Sequence, residues 1–333
     1  MVRIISPGGR RRKPEGEVVA ILKRGCERLI GTLERRGKSY YVIPDDSRFG
    51  RAVTLTRGLK EARRGEKVIV KIDSWQKGHR LSHGHLVERI GRPGAPGTEQ
   101  LLFDRRHDLP GEFPPRILKE LNGLPREEAI PQIASEEKRA DLRNLFMVTI
   151  DGERARDFDD AVSLEMLPEG GYRLGVHIAD VSHYVREGKA IDREALERGT
   201  STYLVDRAVH MLPPLLSENL CSLKAGEDRL AVSVLLDLTA AGDLGSYRFL
   251  PSIVRVARRL TYPQVEAYLA GEEELDGDGA NPGEMLEQMG RLAALLRQKR
   301  LRRGALDLDI PEPQFILNED GNVTGVERHR PGR

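Results

Sequence analysis

Between residues 17 and 90 the sequence carries six short apolar runs, each cut off by Gly, Pro, Asp, Lys or Arg. They are 17–22 (EVVAIL), 28–34 (RLIGTLE), 39–44 (SYYVIP), 52–56 (AVTLT), 67–72 (KVIVKI) and 85–90 (HLVERI). Runs this short, bounded by turn-forming residues, read as strands. Six of them in about 75 residues suggest a small closed barrel. Within the third run Tyr40 and Tyr41 follow the basic Lys38. Neighbouring strand residues face opposite ways, so only one of the two rings can lie on a given surface. They read either as a stacking platform for a nucleic-acid base or as one core and one surface tyrosine.

Residues 92–111, rich in Gly, Pro and charge, read as a linker. Helical segments are expected around 115–122 and 135–145, and an apolar strand at 146–150 leads into a second region. There, strand-like segments at 161–167, 172–180, 230–239 and 247–256 alternate with helices, which predicts a mixed α/β arrangement. The clearest helix spans 284–303, where Met285, Met289, Leu292, Leu295, Leu296 and Leu301 fall near helical spacing. Arg291, Arg297, Arg300 and Arg302 occupy its other faces and read as solvated.

At 333 residues and 39% hydrophobic content the chain can bury a substantial core in two or three domains. Its 54 Lys+Arg against 52 Asp+Glu leave a net charge of +2, so overall charge does not argue for a polyanionic partner. The opening MVRIISPGGRRRKPEG lacks the apolar core of a secretory signal, and no later window approaches the ~18 apolar residues of a membrane span. A cytoplasmic protein is expected. Cys26 and Cys221 are too few for a disulfide framework and lack metal-ligand spacing.

Chemistry concentrates at 150–160. IDGERARDFDD places Asp151, Asp157, Asp159 and Asp160 within ten residues, directly after an apolar strand. Carboxylates this close repel, so without a cation some are expected to hold protons or the segment to splay into water. Mg²⁺ takes oxygen ligands and is usually held by a few carboxylates together with waters and substrate phosphate oxygens. Such a cluster suits phosphodiester hydrolysis, with Arg154 and Arg156 available for charge compensation. An EF-hand Ca²⁺ loop does not fit, because its fifth, sixth and twelfth positions counted from Asp151 would be Ala155, Arg156 and Val162. A solvated acidic turn accounts for the spacing equally well. His177 and His183, in HIADVSH, would share a face on a continuous strand, and a structural role is expected for both.

The motifs IDGERARDFDDAVSLE, LGVHIADVSHYV, DREALERGTSTYLVDR, MLPPLLSENLCSL and KRLRRGALDLD occur in the order and spacing of the ribonuclease R / ribonuclease II family. The resemblance covers about residues 15–328. It implies a multi-domain fold: a basic tail (1–14), an all-β cold-shock (OB-fold) barrel (15–91), a linker with short helices (92–140), and the N-terminal part of a mixed α/β RNB catalytic domain (141–333), incomplete at its C-terminus. The activity implied is Mg²⁺-dependent, processive 3′→5′ hydrolysis of single-stranded RNA to 5′-mononucleotides. By this resemblance Asp151, Asp157 and Asp160 would ligate the metal, Asp159 would be essential for the hydrolytic step, and Tyr203 would stack on the 3′-terminal base.

Two positions depart from the family pattern. Leu308 stands where an aromatic often completes the clamp on the terminal base, and His210 stands where a proline usually precedes MLP. The family also carries another cold-shock domain upstream and further catalytic and RNA-binding segments downstream, so a partner chain or a missing half is expected to complete the domain. Two rivals remain from other classes: an inactive RNA-binding module retaining the barrel, and an acidic Ca²⁺-binding interaction module.

Overall fold

Burial alternates strictly along the second apolar run, with Leu29, Gly31 and Leu33 inward and their neighbours outward, as a strand wrapping a core requires. In a computed structural model the described residues are 2–6, 15–22, 27–57, 62–75, 81–95, 97–205, 207–275, 282–306, 312–318 and 323–329. The chain divides into two compact units, Met1–Pro110 and Gly111–Arg333.

In the first unit β1 (Val2–Ser6) and β2 (Glu15–Val18) form an antiparallel hairpin. The barrel consists of β3 (Arg28–Arg36), β4 (Ser39–Pro44), β5 (Val53–Arg57), β6 (Lys67–Ser74) and β7 (Ser82–Gly91), closed in the order β3-β4-β5-β7-β6. Leu29, Leu33, Val42, Val53, Leu55, Val68, Val70 and Ile72 fill it. Gly31 lets β3 and β4 approach, since a Cβ there would meet the Ile43 carbonyl oxygen at 2.3 Å.

Five of the six expected strands therefore build the barrel, and the run at 17–22 does not. Residues 28–32 of β3 pair with β6, which takes the edge a sixth strand would need. Val18, Val19, Ile21 and Leu22 are left exposed. The stretch read as a linker holds a helix, α1 (Thr98–Arg106), which buries Thr98 and Leu102. Its Arg105 donates from Nε and Nη2 to Glu88 of β7 at 2.9 and 3.1 Å. Tyr40 packs against the barrel core with the Arg35 guanidinium 5.3 Å from its ring centroid, and Tyr41 lies beneath Arg36 at 5.8 Å.

The second unit begins with α2 (Pro115–Leu121) and α3 (Ile130–Glu136), then β8 (Ala140–Asp141), β9 (Val148–Asp151), β10 (Asp160–Met166) and β11 (Tyr172–Ala179). The helix expected over 135–145 ends at Glu136, because Lys138 takes a positive φ of 52° and residues 140–141 join the sheet beside Ser252 and Ile253. There follow α4 (Val181–Tyr184), α5 (Ala190–Arg198), the small hairpin of β12 (Thr202–Tyr203) and β13 (Ala208–Val209), and a single π-helical turn at Leu216–Leu220. The long strands β14 (Asp228–Leu238) and β15 (Leu244–Arg255) lead to β16 (Arg258–Thr261), α6 (Tyr262–Ala270), α7 (Gly283–Arg302) and a hairpin of β17 (Glu312–Leu317) and β18 (Val323–His329). Cys26 lies outside the described residues; Cys221 is buried and free.

One mixed sheet of seven strands, in the order β16-β9-β10-β11-β14-β15-β8, organises this unit. Adjacent residues send their side chains to opposite faces. Met147 and Ala161 join the core under α2, α3 and α5, whereas Val148 and Val162 join the smaller core with Leu260 and with Leu286 of α7.

A buried polar ladder crosses four neighbouring strands. Ser163 Oγ meets His177 Nε2 at 3.0 Å, His177 Nδ1 meets Ser233 Oγ at 2.7 Å, and Ser233 Oγ meets Ser252 Oγ at 2.7 Å. Gly175 leaves room for it, since a Cβ there would lie 2.2 Å from Ser163 Oγ. His183 does not share His177's face, because β11 ends at Ala179 and Asp180 caps α4 by accepting from the His183 amide.

Burial holds the His177 imidazole far below its usual value, at about 4. Because the folded value lies below the unfolded one, the stability this neutral histidine contributes is complete above pH 6.5 and is lost as the pH falls toward 4. Urea unfolding should show wild type losing up to about 3 kcal/mol more than His177→Gln across that window. Parallel decline of the two proteins would refute a buried neutral imidazole.

Candidate active site

The four aspartates lie where β9 hands over to β10. Asp151 is the last residue of β9, Asp160 the first of β10, and Asp157 and Asp159 belong to the intervening loop. That loop is held by its main chain. Ser222 Oγ donates to the Arg156 carbonyl at 2.7 Å and accepts the Phe158 amide at 3.1 Å, and the Leu223 amide donates to the Phe158 carbonyl at 2.8 Å. The Ala179 amide, at the end of β11, donates to the Asp159 carbonyl at 2.9 Å.

Ser222 is itself fixed by a fully buried arginine. Arg229 donates to the carbonyls of Asn219, Ser222 and Asp228, and it pairs with Glu227. On the other side of the loop, Arg259 of β16 donates from Nη2 to the carbonyls of Gly152 and Glu153 at 3.0 and 2.8 Å.

The expected mutual repulsion is present. The Asp151 carboxyl is pushed up to about 6, first by desolvation and then by the charge of Asp160, with Asp157 and Asp159 adding to it and Arg259 opposing. Asp159 is raised for the same reasons, although its side chain faces solvent. Asp151 Oδ2 is buried without a hydrogen-bond partner, an arrangement that is costly for a carboxylate unless a cation or proton satisfies it.

The donor set is all carboxylate oxygen, which suits a hard divalent cation. Among the described residues no three His, Cys, Asp or Glu side chains converge closely enough to hold an ion by themselves. The residues thus fit a Mg²⁺ held by one or two carboxylates and completed by water and phosphate oxygens.

Tyr203 joins this group: its hydroxyl donates to Asp157 Oδ2 at 2.5 Å, and the residue remains 66% exposed. The bond to Asp157, with partial burial, pushes the phenol up to about 12. His210 lies just beyond β13 with Nε2 3.2 Å from Glu218, while its Nδ1 is buried without a partner. Tyr40 and Tyr41 belong to the other unit, and Leu308 lies outside the described residues.

Sequence reasoning missed Arg229 and Arg259. The only available hint was Ser222 within MLPPLLSENLCSL, a motif that marks the segment without naming its contacts. Arg259 reaches its acceptors across more than 100 residues of chain, and nothing in the local sequence distinguishes it from the other arginines.

Residues 139–332 match the family described as RNB domain, and residues 41–114 match Cold shock domain. The chain belongs to the RNB-domain family, with a cold-shock barrel ahead of the mixed α/β catalytic-type unit. It is 37% identical over 324 residues to ribonuclease R of Thermotoga maritima, covering 96% of this chain and 45% of that protein, so it spans about half the length of the curated relatives it matches. Among solved structures, Mycoplasma genitalium RNase R in complex with double-stranded RNA aligns with a TM-score of 0.82 at 25% identity, over 94% of this chain and 55% of that one. Yeast Ssd1, described as a pseudonuclease, shares the fold with a TM-score of 0.66 at 21% identity, over 86% of this chain and 36% of that one.

The raised Asp151 value carries a sign that can be tested on metal-free protein. Its folded value exceeds the unfolded one, so the fold loses stability as the pH rises through about 6. In EDTA at pH 8, Asp151→Asn should be more stable than wild type by about 1–2 kcal/mol after solvent screening, and the gain should vanish near pH 4. Denaturant titration at the two pH values checks this; equal stability at pH 8 would remove the case for a repulsive site.

Proposed function

We propose that this protein hydrolyses single-stranded RNA from its 3′ end, releasing 5′-mononucleotides processively and without sequence preference, with Mg²⁺ as cofactor and in the cytoplasm. The observation that carries the reading is the buried, unpartnered Asp151 Oδ2 beside three further carboxylates, in a chain of the RNB-domain family. Among the described residues no helix is long and apolar enough to cross a membrane.

Asp151, Asp157 and Asp160 would hold the cation at the end of the β9–β10 pair, one or two of them directly and the rest through bound water, and its charge would relieve their repulsion. When bound, Mg²⁺ supplies polarisation of the scissile phosphate and a water of lowered pKa. Asp159, raised by desolvation and by its acidic neighbours, would orient the attacking water and accept its proton at a carboxylate oxygen. Tyr203 would present its exposed ring to the 3′-terminal base, and stacking of this kind serves every base alike. Leu308, which lies outside the described residues, is the candidate for the second contact to that base, where it could wedge but not stack. We assign the barrel within 15–91 to RNA binding, with Tyr40 and Tyr41 as candidate stacking residues, 92–140 to the connection, and 141–333 to catalysis, completed by further chain or a partner.

The second reading is an RNA-binding protein without turnover. It rests on the cold-shock barrel, matched over residues 41–114, whose binding role does not need the acidic loop. Degradation of a 5′-labelled single-stranded RNA in Mg²⁺ separates the two. Stepwise shortening from the 3′ end is expected, with loss of about a hundredfold or more in Asp159→Asn and longer end products in Tyr203→Ala. Salt-sensitive RNA binding with no shortening would establish the second reading instead.

A further inference from the structure

The turn after Asp151 is tied down from a distant strand. β16 runs parallel beside β9 with Arg259 opposite Thr149. From there Arg259 Nη2 reaches the carbonyls of Gly152 and Glu153, and its guanidinium carbon lies 5.2 Å from the centroid of the Phe158 ring. Phe158 is buried, 8% exposed, and stands between Asp157 and Asp159. One side chain therefore touches both ends of the acidic loop: the residues following its first carboxylate and the ring between its second and third.

The other restraints act elsewhere. Ser222, Leu223 and Ala179 bind the main chain of residues 156, 158 and 159. Apart from the local turn bond from the Ala155 amide to the Gly152 carbonyl, the contacts described for the carbonyls of residues 152 and 153 come from Arg259. Gly152 and Glu153 are exposed, so little packing would replace that tether. Four like charges favour an open loop; Asp151 itself is paired with Thr261 in the sheet, and Arg259 is the long-range restraint described for the exposed turn that follows it.

We propose that Arg259 is a positioning residue for the acidic site: by bridging the Gly152–Glu153 turn to the Phe158 ring it sets the distance between Asp151 and the Asp157–Asp160 group, and thereby the affinity for the divalent cation. The inference rests on the Mg²⁺ reading proposed above. It separates geometry from charge, because a lysine would keep the positive charge but could not offer one planar group to two carbonyls and an aromatic face together.

The test uses the whole 333-residue chain, with Mn²⁺ alone as the probe, followed by electron paramagnetic resonance for wild type, Arg259→Lys and Arg259→Gln. Residues that orient a metal site without touching the metal typically alter its affinity by about 10–100-fold, so both variants should bind at least about tenfold more weakly. In RNA degradation, excess Mg²⁺ should restore Arg259→Lys toward the wild-type rate, while its KM for RNA stays unchanged. Thermal melts accompany each variant, and Arg259→Lys decides the matter if Arg259→Gln does not fold.

Wild-type Mn²⁺ affinity in Arg259→Lys overturns the inference, leaving Arg259 at most a compensating charge and the proposed function untouched. Weaker Mn²⁺ binding that excess Mg²⁺ cannot offset overturns it as well, since the defect would then lie beyond metal affinity. Absence of Mn²⁺ binding by wild type overturns the proposed function, and the inference with it.

Discussion

Mutual repulsion among Asp151, Asp157, Asp159 and Asp160 is the constraint around which the second unit is arranged. Left to itself such a segment would open into water. It is held instead by groups that bind mainly its backbone and compensate its carboxylates only in part: Ser222 and the amides of Leu223 and Ala179, and Arg259, whose charge also opposes the rise at Asp151. The fold thereby retains carboxylates that are both desolvated and crowded by like charge, as the elevated Asp151 and Asp159 carboxyls reflect, an arrangement that a cation could relieve. Free energy withheld in this way is a recurrent feature of sites whose chemistry needs a ligand to complete them.

The support for that arrangement is layered. Arg229 is enclosed by the carbonyls of the turn that precedes Ser222 and by the start of β14. Ser222 in turn holds Arg156 and Phe158. Taking a guanidinium out of water is costly unless its donors are satisfied, and here the satisfied donors stiffen a segment that would otherwise be an irregular connection.

How much of this was legible depended on the range of each interaction. The strand ends that carry Asp151 and Asp160 could be read locally, because an apolar run stops at one acidic residue and resumes after another. Tyr203 was accessible through a family motif, and its bond to Asp157 spans 46 residues. Arg259 left no trace, because its acceptors are main-chain carbonyls and any residue at 152 or 153 would present them. The run at 17–22 has strand-like composition, and its exclusion from the barrel follows from β6 already occupying the edge of β3, which is a property of closure and not of the run. Strand alternation pairs His183 with His177 only if the strand continues past Ala179, and it does not, because Asp180 ends the strand and starts a helix.

The ladder of Ser163, His177, Ser233 and Ser252 has a consequence for where the carboxylates stand. Apolar faces tolerate sliding, since one aliphatic side chain substitutes for another with little loss. A row of mutually matched hydroxyl and imidazole groups does not: slipping β10 by one residue against β11 would turn Ser163 to the opposite face and leave His177 Nε2 without its partner inside the sheet. Asp160 opens the same strand three residues earlier, paired with Ile178. The interior polar row thus acts as an indexing pin, fixing by hydrogen bonds deep in the sheet which residue of β10 emerges at its acidic end.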